Sequence, residues 1–369
     1  MVALDHAFVH IKKSRRNYPA HDSIWDFRNA YVVLRNTLAQ AVTSGTYTFS
    51  QPTTVQTKDG TSVTVTDASD AVVLKTLALL LSSKMQACGY HNRLAHVQGN
   101  HGSKKTVRQI HHLLNEYGKK GFVYKTDIAD YYASIDHTLL YEAVRRLWKS
   151  PPAWVNLVYA AIKSGFYKEG HYYDAQPYGI LRGSPLFYVL GSLYLHQVDQ
   201  TFQNKRSVRY FRYMDDILII TQSRSLLRRV IKRCHGLFEQ LKLSVSKPKT
   251  YIGKASKGFS FLGYHFGPKA TVSVRPETVS KSLERVHRLL EQQILTKERL
   301  EKHVKGFVSW AKGGLRGLVR AETVQQTLVS AIREAGMFQQ LEALSKQHTY
   351  KKRGIVWLKR CVPEYYLLR

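Results

Sequence analysis

Asp215 and Asp216 stand side by side in the run YMDDILII at 213–220. Two adjacent carboxylates between apolar segments repel each other and are costly to remove from water. A bound divalent cation offsets both effects. A third acid, Asp127, closes the apolar run GFVYKTD at 121–127. Two strand-end aspartates brought together can bridge a pair of Mg²⁺ ions about 3.5–4 Å apart, the arrangement that in-line phosphoryl transfer uses. Mg²⁺ takes one or two carboxylates and completes its shell with substrate phosphate oxygens. Taken alone, the pair at 215–216 is equally compatible with a solvated hairpin turn.

Acids are otherwise scarce. The 369 residues hold 56 Lys+Arg against 26 Asp+Glu, a formal net charge of +30, with a pI of about 10.0. That excess argues for a polyanionic partner, nucleic acid or an anionic membrane, although a basic ribosomal-type protein has the same signature. With 44% apolar residues the chain can bury a sizeable core, and its length suits two to three domain-sized units. Cys88, Cys234 and Cys361 lie too far apart for a disulfide framework or a zinc site and fit a reducing cytoplasm. The N-terminus has no apolar signal core. The longest apolar stretch, near 71–81, is broken by Lys75 and is too short to span a bilayer. A cytoplasmic protein without membrane attachment is expected.

The elements that must position the acids follow from periodicity. Ile24, Phe27, Tyr31, Leu34, Leu38 and Val42 recur at helical spacing behind Asp22 and Ser23 as caps. Residues 45–66, rich in Thr, Val and Tyr around Asp59 and Gly60, read as a hairpin. A helix is expected from about 69 to 85, and another in the second part of 98–120. The runs 121–127 and 209–221 read as strands, the second broken around Met214, Asp215 and Asp216. A basic helix follows at 225–243, then strand-like sequence at 250–266 punctuated by Gly253, Gly258 and Gly263. After Pro276 the period changes to helical, with stripes Val279, Leu283, Val286, Leu290, Ile294 and Leu300, Val304, Phe307, Ala311.

At this point the sequence resembles the reverse transcriptases. YMDD at 213–216 resembles the YxDD motif of that family, and other motifs stand in the family's order. These are KTDI at 125–128 running to Tyr131 and Tyr132, then Ile135, Asp136 and His137, GILRGSPL at 179–186 with Asp199 after it, and KPKT at 247–250. Gly258, Phe259 and FLGY at 261–264 resemble the primer grip. The likeness runs from about 45 to 315. It implies an α+β, right-hand polymerase fold of fingers, palm and thumb. The expected organisation is an N-terminal helix and fingers at 1–120, a palm at 121–270 with a fingers-like helical insertion about 138–175, a helical thumb at 271–345, and a basic tail at 346–369.

The same resemblance implies an RNA-directed DNA polymerase that extends a primer with dNTPs using two Mg²⁺ ions, with Mn²⁺ as a possible substitute. It implies Asp127, Asp215 and Asp216 as catalytic residues and, with Ile128, as the metal set. Tyr132, five residues after Asp127, falls where the family holds an aromatic steric gate; the alternative is a core tyrosine beside Tyr131. Lys249 falls where a lysine protonates or neutralises pyrophosphate, and is otherwise an exposed lysine in a basic loop. Arg182, Gly183 and Lys58 complete the nucleotide-binding set, and Phe261, Leu262, Gly263 and Tyr264 the primer grip. Arg182 departs from the family's common glutamine and Phe187 from a frequent serine. The arginine expected beyond Lys58 is missing, with Arg93, Lys104 or Lys105 as substitutes. The basic segment 98–105 is either a phosphate-holding loop or a flexible one. Trp310 is either core or a duplex-tracking residue. Basic runs at 12–16, 228–233 and 351–353 are RNA-binding surfaces or solvated faces.

The chain is expected to end near its thumb, without RNase H, integrase, protease or HNH segments. It lacks a retron-type thumb signature. Ser184 and Pro185 stand where diversity-generating enzymes carry serine and glutamine. What remains resembles compact, unclassified bacterial enzymes close to the group II intron type, many of them in anti-phage defence and working with a dedicated noncoding RNA. The expected partners are therefore an RNA template, a DNA primer or product, and dNTPs. Protein partner and oligomeric state are not indicated. A template-independent or DNA-copying polymerase, and a catalytically silent RNA-binding protein of the same fold, remain as alternatives.

Overall fold

A computed structural model describes residues 1–56, 62–90, 102–181, 183–203 and 205–341. From the N-terminus, α1 (Val2–Ser14) and α2 (Ile24–Ser44) precede the strands β1 (Thr53–Gln56) and β2 (Ser62–Val65); α3 (Ala68–Ala87) and α4 (Gly102–Tyr117) follow. Next come β3 (Phe122–Asp127), a 3-10 turn at Tyr131–Ser134, α5 (His137–Arg145), α6 (Val155–Ile162), β4 (Phe166–Lys168) and β5 (His171–Tyr173). Then α7 (Pro185–Tyr194), α8 (His196–Gln203), β6 (Val208–Tyr213), β7 (Asp216–Thr221) and α9 (Arg224–Gln240). The remainder is β8 (Tyr251–Lys254), β9 (Phe259–Phe261), β10 (Tyr264–Phe266), β11 (Val272–Val274), α10 (Pro276–Glu291), α11 (Lys297–Lys312) and α12 (Ala321–Glu334).

The described chain gathers into two compact units. The first joins 1–90 with 122–253, the second 102–121 with 254–341. Residues 254–270, expected with the palm, belong to the second unit, as does α4, expected with the fingers.

In the first unit a four-stranded sheet has the order β6-β7-β3-β8. Its two central strands, β7 and β3, pair antiparallel from Phe122↔Thr221 to Asp127↔Asp216. Val123, Tyr124, Ile217, Leu218, Ile219 and Ile220 are all fully buried. Strands that read as unbroken apolar runs are covered on both faces, and these are. One cover is α9, whose Leu227, Val230, Cys234 and Leu237 join Tyr124, Ile217 and Ile219 in one core. α3 contributes Val73, Leu77 and Leu81, and α7 contributes Leu186, Leu190 and Leu193. α1, which no sequence pattern singled out, buries Leu4, Ala7 and Ile11 beside Ile24, Phe27 and Tyr31 of α2 and Ala71 and Val72 of α3.

The expected hairpin at 45–66 forms as β1 and β2, with Thr53↔Val65 at one end; its tip, with Lys58, Asp59 and Gly60, lies outside the described residues. The insertion at 138–175 is not wholly helical. After α5 and α6 it forms the hairpin β4–β5, and β4 pairs parallel with β1. Phe166, Tyr167, Tyr172 and Tyr173 are strand formers. They flank Glu169 and Gly170, both at positive φ (51° and 83°), the two-residue turn that a tight hairpin requires.

The second unit holds the sheet β11-β10-β9 and helices α4, α10, α11 and α12. Val279, Val286, Leu290, Leu300 and Val304 are buried as their stripes predict. Ile294 is not: it lies beyond the end of α10 and is 42% exposed.

Two glycines make opposite predictions. Gly45 ends α2 at φ 72°, and a Cβ there would meet the Ala153 carbonyl oxygen at 2.6 Å. Gly306 sits inside α11 with nothing within 4 Å of a Cβ. Gly45→Ala should lower the melting temperature. Gly306→Ala should raise it, by up to about 1 kcal/mol of helix propensity. Thermal unfolding of both variants checks this.

Candidate active site

The antiparallel register sets Asp127 opposite Asp216, so both side chains leave the same face of the sheet. Tyr213 on β6 pairs with Asp216 on β7. Met214 and Asp215 are thus left as a two-residue turn, with Met214 at φ 59°. That left-handed conformation is uncommon for a residue with a side chain.

Asp127 is 8% exposed. Its Oδ2 accepts a hydrogen bond from Lys249 Nζ at 2.7 Å, and that bond raises the lysine's pKa. The Asp216 carboxyl is pushed up to about 6, first by burial and then by the charges of Asp127 and Asp215, against the pull of Lys125 and Lys249. Asp215 acts electrostatically on both Asp216 and Lys249. Three carboxylates and the ammoniums of Lys125 and Lys249 therefore share a single field.

Among the described residues no three His, Cys, Asp or Glu side chains form a ready-made metal cage. Mg²⁺ needs few protein carboxylates and takes its other ligands from phosphates and water. A dication would relieve the desolvation and like-charge repulsion at Asp216. The Ile128 side chain is buried and apolar, so only its backbone carbonyl offers an oxygen to a metal.

The turn is held from beneath by Arg212, a residue no motif singled out for a role. Its side chain and that of Asp199 are both 0% exposed. Arg212 Nε donates to Asp199 Oδ1 at 2.7 Å and Nη2 to Oδ2 at 2.5 Å. Nη2 also donates to the Ser192 carbonyl at 3.0 Å, and Nη1 to the Met214 carbonyl at 2.9 Å. The Tyr210 hydroxyl donates to Asp199 Oδ1 at 2.7 Å. Burial pushes the Asp199 carboxyl upward, against the opposing pull of the Arg212 guanidinium and the Tyr210 hydroxyl. The available signal was an arginine inside an apolar strand with an acid at an apolar helix position, since buried charges come in pairs.

Tyr132 is half-buried. Its hydroxyl lies 3.7 Å from Met214 Sδ, and its ring stands edge-on to Tyr188 and tilted against Tyr131. A Cβ on Gly191 would come within 3.1 Å of the Tyr132 ring. Tyr131 is the core member of the pair, 2% exposed, with its hydroxyl bonded to the Gly191 carbonyl. Gly179 and Gly183 approach the protein itself. Gly183, at φ 116°, would put a Cβ 2.9 Å from the Thr64 carbonyl oxygen on β2, and Gly179, at φ 87°, 3.2 Å from the Ala133 oxygen.

Asp127, Asp215, Asp216, Lys249 and Tyr132 thus surround one turn, with Ile128 beside them. Lys58 and Arg182 lie outside the described residues. Phe261, Leu262, Gly263 and Tyr264 lie in the second unit, where Leu262 and Gly263 (φ 53° and 83°) form the turn of the β9–β10 hairpin. Lys104 also lies there and is already engaged. Its ammonium bonds the Tyr264 hydroxyl and, at 2.5 Å, the Trp310 carbonyl, and burial lowers its pKa to about 8. Trp310 is 41% exposed and stacks on Tyr264, so it is not a core residue.

Comparison with known proteins agrees with this geometry. Residues 69–266, more than half of the chain, match the family model described as reverse transcriptase (RNA-dependent DNA polymerase). Protein YkfC of Escherichia coli (strain K12) is 25% identical, over 47% of this chain and 58% of its own length. Among solved structures, telomerase from Candida albicans, in complex with a TWJ fragment of telomeric RNA, superposes with a TM-score of 0.57 at 12% identity. That match covers 92% of this chain and 61% of the telomerase chain. Apo telomerase from Candida tropicalis gives 0.51 at 13% identity, covering 85% and 62%. The chain therefore spans about three-fifths of the length of these relatives, and the telomerases share its polymerase fold.

The Arg212 clamp predicts that stability and activity separate. Arg212→Ala or Asp199→Ala leaves a buried charge unpaired and should cost about 3–5 kcal/mol. The apolar pair Arg212→Met with Asp199→Leu should recover most of that stability. It should not recover nucleotide incorporation, because the Met214 carbonyl loses its donor. Thermal melting and single-nucleotide extension, measured on the same three proteins, check it.

Proposed function

This chain belongs to the reverse transcriptase (RNA-dependent DNA polymerase) family, and we propose that it extends a primer with deoxynucleotides on an RNA template, with a pair of Mg²⁺ ions at Asp127, Asp215 and Asp216. The observation that carries this reading is the Asp127↔Asp216 register beside the Asp215 turn. It gathers the chain's scarce acids at one edge of the sheet under a +30 charge. Bound Mg²⁺ supplies Lewis-acid activation of the primer hydroxyl and charge neutralisation at the triphosphate.

The protein groups have separable tasks. Asp127 and Asp215 hold the metal pair, and Asp216 supports them by its charge. Lys249, already within the field of the carboxylates, neutralises or protonates departing pyrophosphate. Arg212 fixes the turn through Met214. Tyr132, backed by Tyr131 and Gly191, closes the space where a ribose 2′-hydroxyl would sit. Exclusion by clash requires a backing that cannot retreat, and the Tyr131 ring and the Gly191 backbone supply one. In the same reading the template is a dedicated noncoding RNA, the enzyme belongs with the compact types close to group II intron enzymes, and anti-phage defence is its setting. The motif order at 125–128, 179–186, 213–216 and 247–250 supports the family, and Ser184–Pro185, where diversity-generating enzymes carry serine and glutamine, supports the compact type by exclusion.

Asp127→Ala and Asp215→Ala should each abolish Mg²⁺-dependent incorporation while leaving RNA binding and folding intact; robust synthesis by either variant refutes the site. Tyr132→Ala should raise the ribonucleotide share of kcat/KM for a matched dNTP and rNTP pair. Tyr132→Phe should retain discrimination, and Tyr131→Ala should cost stability without changing sugar choice. An unchanged ratio in Tyr132→Ala removes the gate.

A further inference from the structure

α9 covers one face of the β6-β7-β3-β8 sheet, and the aspartates leave the other. Tyr124 of β3 faces the helix, its hydroxyl 3.4 Å from His235 Nε2. Asp127 is three residues further on and by strand alternation points to the opposite side, as does its register partner Asp216. The outer surface of α9 is therefore separated from the carboxylates by the sheet and by the helix itself, roughly 10 Å thick.

That outer surface carries five exposed cations within ten residues. Arg224, Arg228 and Lys232 are exposed and follow one another at i, i+4 and i+8, a row that climbs roughly 6 Å and turns about 40° per step. Arg229 and Arg233, also exposed, form a second row. Like charges four apart oppose helix formation, and a cation in the first turn opposes the helix dipole. The first turn of α9 contains no acid, and among the described residues no carboxylate pairs with any of the five. By contrast, α10 and α11 open on Glu277 and Glu298, and α11 carries the pair Lys305–Glu301.

We propose that the outer face of α9 docks a stretch of RNA remote from the reaction centre, its phosphates lying along the row Arg224–Arg228–Lys232. The identity of the polyanion rests on the RNA-copying reading above. Four of the five cations are arginines, whose planar fork matches phosphate oxygens. A regular row suits a polymer of evenly spaced phosphates. A lipid surface suits it less, because the neighbouring exposed residues Ser225, His235, Glu239 and Gln240 offer no apolar side chain to insert.

The test compares wild type with Arg224→Gln/Arg228→Gln/Lys232→Gln and with a charge-matched control, Lys12→Gln/Lys13→Gln/Arg16→Gln. Gln is a good helix former, and the change removes repulsion, so melting should not fall. Binding of an unstructured single-stranded RNA of about 40 nucleotides is measured against salt, where each lost phosphate contact lowers the log–log slope by roughly 0.7. The expected result is a slope about 2 smaller for the α9 variant, a smaller change for the control, and unchanged extension of a minimal primer–template. An unchanged slope, or an equal loss in the control, overturns the proposal. So does undiminished RNA binding coupled with lost binding to anionic phosphatidylserine vesicles. Absence of extension by wild type would instead count against the polymerase reading, and the slopes would still decide the docking surface.

Discussion

The buried Arg212–Asp199 ion pair is the interaction on which the rest of the site depends. Removing two charges from water is expensive, and their attraction offsets the cost only when geometry and hydrogen bonding are nearly complete. Here they are: the fork is bidentate, Tyr210 fills a further acceptor site, and the remaining guanidinium donors go to the Ser192 and Met214 carbonyls. Three separate elements, α7, α8 and the β6–β7 turn, are tied to one planar group. The Met214 backbone, held left-handed, has a reason to stay so, and Asp215 inherits its place from it. An apolar core of the same volume would pack as well but would leave the turn free to relax.

Charge is segregated across the same sheet. Its front edge concentrates acids in a chain that has few, and the Asp216 carboxyl is correspondingly displaced toward neutrality. Its back, beyond α9, carries cations without acidic partners among the described residues. Both arrangements are unfavourable for the isolated protein. Both would become favourable with the proposed counter-charges bound, dications in front and phosphates behind. Destabilised electrostatics of this kind are what functional sites accept in return for affinity.

Much of this was legible in the sequence because it is local. An apolar run ending in Asp127, and a second run interrupted at Asp215–Asp216, must become strands with acids at their ends, and the pairing of Asp127 with Asp216 needs only that the strands be neighbours. Tyr132 was legible through its spacing from Asp127. Arg212 was not, because its partner is thirteen residues away on another element and its role is played through the backbone of Met214. The β4–β5 hairpin was hidden by a turn of Glu169 and Gly170, less conspicuous than an Asn or Asp before glycine. Lys104 looked like a phosphate ligand beside Lys105; its contacts with Tyr264 and Trp310 join positions 160 and 206 residues apart. Likewise, the grouping of α4 with residues after 253 reflects long-range contacts that no local pattern records.

On the proposed reading, Asp127, Asp215 and Asp216 bind a metal pair. Anomalous diffraction from crystals grown with Mn²⁺, an RNA–DNA primer–template and a non-hydrolysable deoxynucleotide tests it most directly. Two anomalous peaks about 3.5–4 Å apart are expected beside Asp127 and Asp215, with Lys249 turned from Asp127 toward the triphosphate. Peaks elsewhere, or none while Lys249 remains on Asp127, would contradict it.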